Sequence, residues 1–242
     1  MTGRLLVRGM FVGLLAGILA FSFAKIFGEP QVDSAIAFEQ SMVHMHGDDS
    51  DEPEWVNRQV QGSYGLFTGV VVYGTALGGL FALVFAFALG RVGPIGPRGL
   101  SALLALAAFV AVILAPDLKY PANPPSVGDP DTIAQRTQLF FLMLLVSVVA
   151  MAIAVRSAWS LIARYGLWGG VTMTALLYII IVASAGDLFP TVNEVPEHFS
   201  AVLLWNFRVA SLGIQVVLWT AIGLIFGAWA ERLLLEGRAS SV

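Results

Sequence analysis

From Leu139 to Val155 the chain reads LFFLMLLVSVVAMAIAV, an unbroken apolar run with a hydroxyl only at Ser147. A bilayer core of about 30 Å takes roughly 20 mostly apolar helical residues to cross. This run is a little short alone, and Gln138 can extend it. Working outward, five further stretches meet the same requirement: Leu5 to Phe27, Leu66 to Leu89, Leu100 to Ala115 (extended by Gly99), Leu167 to Ala185 and Val202 to Ala230. Composition agrees, because 57% of residues are hydrophobic and 12% charged, against about 25% charged in a soluble domain. The expected fold is all-α, a polytopic membrane protein with six transmembrane helices. Residues 1–242 would form a single membrane domain with outer loops at about 28–62, 116–136 and 186–201. A count of five spans would place the termini on opposite sides. Ser22-Phe23-Ala24 fits a signal-peptide cleavage pattern, but the preceding run exceeds the usual apolar core of 7 to 15 residues, so it is read as a span.

Arginine sets the orientation, since short cytoplasmic loops are enriched in Lys and Arg. With the N-terminus inside, Arg4, Arg8, Arg91, Arg98, Arg156, Arg164, Arg232 and Arg238 are cytoplasmic, eight of the thirteen basic residues. Only Glu231 and Glu236 among the sixteen acids share that side. The others, and all three histidines, fall in the outer loops. Acids contribute little to topology itself, so their segregation points to a face that attracts cations. Both termini are therefore expected in the cytoplasm.

Glycines recur at helical spacing: Gly9, Gly13 and Gly17 in the first span, Gly74 and Gly78 in the second, Gly166 and Gly170 at the start of the fifth, Gly223 and Gly227 in the sixth. Such stripes let helix backbones touch. The middles of the spans hold no ionisable residue, which argues against a pump driven by a buried carboxylate. Gln215 is the deepest strongly polar side chain, and with Tyr73 it forms the candidate pathway. Lys25, at the outer end of span one, can pair with Glu29 one turn on.

The absence of cysteine excludes thiolate metal sites and thiol catalysis. The remaining metal ligands concentrate in the first outer loop, where Pro30 can start an interfacial helix that ends in Met42-Val43-His44-Met45-His46-Gly47-Asp48-Asp49. Imidazole suits cobalt, nickel, copper and zinc, carboxylates suit harder ions, and methionine suits reduced copper. On a helix Met42 and His46, or His44 and Asp48, share a face, whereas a strand would align His44 with His46. Glu197 and His198 in the third outer loop complete the candidate metal set. Pro196 would open span six and place both in its first turn. A joint site requires the first and third loops to meet.

The second outer loop, Lys119-Tyr120-Pro121-Ala122-Asn123-Pro124-Pro125-Ser126-Val127-Gly128-Asp129-Pro130-Asp131-Thr132-Ile133, is stiffened by four prolines. It is expected to pack over the outer helix ends and against the segment after Pro190. Followed by Arg136-Thr137, this phrase resembles the CbtA family of proposed cobalt-transporter subunits. So do Phe27-Gly28-Glu29-Pro30 with Ala35-Ile36-Ala37-Phe38-Glu39, Tyr73-Gly74 through Gly78-Gly79-Leu80-Phe81, Asn193-Glu194-Val195-Pro196, and Leu204-Trp205 with Phe207-Arg208. The resemblance implies a bacterial inner-membrane protein that takes up cobalt for corrinoid synthesis beside a small partner, CbtB, with a histidine-rich terminus. It carries over no settled ligand residues.

The function expected is a component of a divalent transition-metal uptake system, with Co²⁺ as the first candidate ion. The competing reading is a structural or assembly subunit whose glycine-rich helix faces dock other membrane proteins. No enzyme is expected, because no nucleophile and base or acid–base pair is placed within the spans. No resident cofactor and no nucleic-acid partner is indicated. Any ATP use would need another subunit, since the chain has no phosphate-binding loop.

Overall fold

The computed structural model describes residues 2–46 and 57–239, with the backbone alone for 43–46 and 236–239. Every regular element among them is helical. In chain order these are α1 (Thr2–Phe23), α2 (Glu29–His46), α3 (Arg58–Val60), α4 (Leu66–Ala88), α5 (Pro97–Ala108), α6 (Ala115–Lys119), α7 (Ile133–Leu188) and α8 (Ala201–Ala239). Five continuous helical stretches are long and apolar enough to cross a membrane. The chain is thus an all-helical polytopic membrane protein.

Six apolar helical segments result where five continuous stretches stand, because α7 is two helices. Its 56 residues would make a rod of about 84 Å at 1.5 Å per residue. Gly166 interrupts it with φ 74° and ψ 174°, a region open essentially to glycine alone. Four residues later, a side chain at Gly170 would run into the backbone of Ile162. The hydroxyls of Ser147 and Tyr178, 31 residues apart, meet at 2.8 Å. On a straight helix they would be about 46 Å apart. The chain therefore reverses at Gly166, and residues 133–165 and 167–188 form an antiparallel hairpin. Gly166, read from the sequence as part of a packing stripe, is a turn residue instead.

Three of the long helices contain a wide π-helical turn near the end assigned to the outer face. These are Ala24–Gly28 between α1 and α2, Gln61–Gly65 between α3 and α4, and Phe109–Leu114 between α5 and α6. In the first, Glu29 N–H donates to Ala24 O, and in the third Ala115 N–H donates to Val110 O. Pro30 and Pro116 follow directly. A proline lacks the N–H that the carbonyl four residues back would accept, and a wider turn lets the rod pass it unbroken. Pro30 accordingly does not start a new helix as expected: residues 2–46 run as one helical rod.

The contacts fall into two compact units. The first comprises residues 1–106, 124–126 and 198–242, and the second residues 107–123 and 127–197. In the first, α1 and α4 lie backbone to backbone. A Cβ on Gly13 would strike Gly74 O, one on Gly78 would strike Gly9 O, and one on Gly17 would lie 3.0 Å from Val71 Cα. α8 packs on α4 through Phe226, whose ring sits edge-on to Phe81 and Phe85 at 5.4 and 5.1 Å. α8 also meets α5, where the buried Ser101 hydroxyl donates to Gly223 O at 2.7 Å. At the arginine-rich end, Arg8 donates to Trp229 O at 2.9 Å and Arg98 pairs with Glu231 at 2.6 Å. In the second unit, Ala115, Ala150, Ala154 and Tyr178 form a small buried core edged by Val110, Met151, Ile181 and Val182.

Candidate functional site

The end of the first unit assigned from the sequence to the outer face carries a closed set of ion pairs. Lys25, carried on the first π-turn, donates to Gly62 O at 2.8 Å and lies 3.8 Å from Glu29. The expected Lys25–Glu29 pair is present. Arg58 Nη2 donates to both Glu29 Oε2 and Asp33 Oδ1 at 3.0 Å. Asn57 positions it, because its side chain accepts from Gln59 N–H and caps α3. The Glu29 side chain is only 12% exposed, and two cations share it. Glu29 and Asp33 therefore act as struts that hold the two ends of the first outer loop. Arg58 escaped the sequence reading, although it is the only basic residue between Glu29 and Gln61.

Beyond this cluster α2 continues to His46, which selects the helical alternative for the Met42–His46 run. Positions 38, 42 and 46 are one turn apart and follow one stripe of the helix. Phe38 meets Phe199 edge-on at 5.1 Å, so the first and third outer loops do meet. His198 adjoins that ring contact in sequence and is exposed. Met42 is half-buried. Asp48 lies outside the described residues. Among those described, no three His, Asp or Glu residues gather as they would around a metal ion.

Pro196 does not open span six. α8 begins at Ala201, where Leu203 N–H approaches Ser200 Oγ at 3.4 Å and Leu204 N–H donates to Ser200 O at 3.0 Å. A serine cap satisfies the free N–H groups that proline at the first position would leave. Glu197 and His198 therefore sit in a turn before the helix, both exposed.

In the second unit the proline loop is anchored on the third outer loop, as its stiffness predicted. Tyr120 OH donates to Pro190 O at 2.8 Å. Glu194 accepts from Asp129 N–H and Thr132 Oγ1, each at 2.7 Å, and Arg136 Nε is 3.3 Å from its carboxylate. These donors hold the Glu194 carboxyl below the usual glutamate range, the Asp129 N–H foremost. Gly128 has φ 121°, and the Arg136 guanidinium fills the space a side chain there would need. Asp129 caps the following turn by accepting from Asp131 N–H at 2.9 Å. Nothing in local sequence singled out Glu194 over the other outer acids, because its partners lie 62 and 65 residues away. Within the first unit, Ser126 Oγ from the same loop donates to Ala35 O at 3.2 Å.

At depth, Gln215 Oε1 and Trp219 Nε1 are both buried without a hydrogen-bond partner, one turn apart on α8. Tyr73 is 44% exposed on the flank of α4.

A family model described as "Probable cobalt transporter subunit (CbtA)" matches residues 2–231. The chain belongs to the CbtA family. No curated protein and no solved structure matches it. The match covers every span of this CbtA member, the proline loop with its Glu194 anchor and both struts, Glu29 and Asp33. It ends at Glu231, the acid paired with Arg98.

Proposed function

We propose that this chain is the membrane-embedded component of a divalent transition-metal uptake system in a bacterial inner membrane, with Co²⁺ as cargo and both termini in the cytoplasm. Met42, His44, His46 and Asp48 capture the ion at the outer face together with His198 and Glu197. Gln215 and Tyr73 are the polar groups it meets at depth. A small CbtB-like subunit is the expected partner.

The observation that carries this reading is the Phe38–Phe199 contact. That contact joins α2 to the residue following His198, the only histidine outside the Met42–Asp49 run, and Met42 stands one turn beyond Phe38 on the same helix stripe, which supports the reading. Imidazoles from two loops are a donor set suited to borderline divalent ions. Family membership supports the same reading, as does the acidic outer face, which concentrates cations before capture.

The test is Co²⁺ uptake into proteoliposomes containing the purified chain with and without its partner subunit, alongside calorimetric Co²⁺ binding in detergent. Replacing His44, His46 and His198 with Ala should weaken binding at least tenfold and slow uptake in parallel. Binding unchanged in the triple variant would remove the capture site from this proposal. Wild-type liposomes that take up no metal, with or without the partner, would remove transport.

A further inference from the structure

The end of the α7 hairpin opposite the proline loop carries a surface that the transport reading does not use. From Ala163 to Trp168 every residue is exposed, with Leu167 at 63% and Trp168 at 85%. Trp159 and Tyr165 add 41% and 48%. Arg156 and Arg164 are exposed beside them, and the Arg164 guanidinium lies over the Tyr165 ring, 5.4 Å from its centroid. No acid occurs between Asp131 and Asp187, and neither arginine forms an ion pair among the described residues. The tip is aromatic, cationic and without carboxylates.

Its depth follows from the Ser147–Tyr178 hydrogen bond, which lies near the centres of the fourth and fifth spans. Trp159 is 12 residues from Ser147, about 18 Å along the helix, and Trp168 is 10 residues from Tyr178, about 15 Å. Half of a bilayer core is about 15 Å. The two indoles, on opposite arms of the hairpin, thus reach the same membrane boundary. Tryptophan and tyrosine settle there because one edge of the ring is apolar and the other polar, and arginine beside them meets phosphate. We propose that the Gly166 turn is a binding site for an anionic phospholipid headgroup. Arg156 and Arg164 pair with its phosphate, and Trp159, Tyr165 and Trp168 pack on its glycerol and upper acyl region. The site anchors the hairpin at this leaflet whether or not the chain moves metal.

The experiment uses the full chain in nanodiscs of phosphatidylcholine mixed with phosphatidylglycerol, followed by native mass spectrometry of the lipids retained on release. Wild-type protein should retain phosphatidylglycerol in preference to phosphatidylcholine. The double variant R156Q/R164Q should lose that preference, by roughly fivefold for each arginine removed. Arg4→Gln removes a positive charge from a different helix, α1, and should leave the preference intact. Equal retention of the two lipids by wild type would overturn the proposal. So would an equal loss in Arg4→Gln, which would reduce the effect to overall charge. A preference unchanged in the double variant would also overturn it, and would mean that the tip is covered by something other than an anionic lipid. Thermal melting of each variant confirms that the fold survives.

Discussion

Substituting Gly13 by alanine adds one methyl group at the closest approach of α1 and α4, and its effect can be worked from the structure. That methyl would overlap Gly74 O and lie 3.0 Å from both Gly74 C and Gly78 Cα. All three are backbone atoms, so no side chain can turn aside. Carbon contacts are comfortable at about 3.5–4.0 Å, so the helices must separate by the order of 1 Å. Overpacking of this kind costs about 1–3 kcal/mol. Against it, alanine is the better helix former by about 0.5–1 kcal/mol. The clash wins, and the net destabilisation expected is about 1–2 kcal/mol. Gly69 on α4 supplies the control, because a methyl there meets nothing within 4 Å. Only the propensity gain remains, so Gly69→Ala should be neutral or slightly stabilising. Unfolding in mixed detergent micelles, followed by tryptophan fluorescence, reads both. If Gly13→Ala proves as stable as Gly69→Ala, the two backbones are not in contact and the glycine stripe has no packing role.

Three further outcomes are expected. Glu194 has its carboxyl pKa lowered by the fold, so the loop anchorage it contributes is fully present above the ordinary glutamate range and is lost as pH falls through the lowered value. The protection factor of Asp129 N–H, its exchange rate set against the intrinsic rate at each pH, should fall on acidification in wild type, and in Glu194→Gln it should be low and independent of pH over that range. Gly166→Ala forces a side chain into φ 74°, ψ 174° with open space around it. It should cost about 1–3 kcal/mol by strain alone, and a melt indistinguishable from wild type would mean that the turn has another geometry. Ser147→Ala and Tyr178→Phe each remove one side of a buried hydrogen bond between the hairpin arms. Their double-mutant cycle should return a coupling of about 0.5–1.5 kcal/mol, and additive effects would show that the hydroxyls do not meet.

The run from Leu139 to Val155 and its five counterparts announced a membrane protein without any knowledge of their neighbours. The cost of placing a charge in hydrocarbon belongs to each residue and sums along a window. For the same reason the loop holding Met42 to Asp49 stood out from the sequence, since ligand chemistry is a property of side-chain type. The four prolines between Tyr120 and Ile133 announced a stiff loop, because proline fixes φ wherever it stands. The prolines did not disclose that the loop is held by Glu194, nor that Arg58 ties Glu29 to Asp33. Each of those pairings joins residues at least 25 positions apart, and many acids were equally eligible. Glycine was ambiguous in the same way. A GxxxG spacing permits close approach and a lone glycine permits positive φ, so Gly13 and Gly166 read alike. Only the folded chain, with Gly74 against the first and a reversal at the second, tells them apart. Local preferences act through short-range sterics and solvation, which a window of sequence contains. The choice of partner among helices depends on how distant surfaces fit, and that fit exists only once the chain has folded.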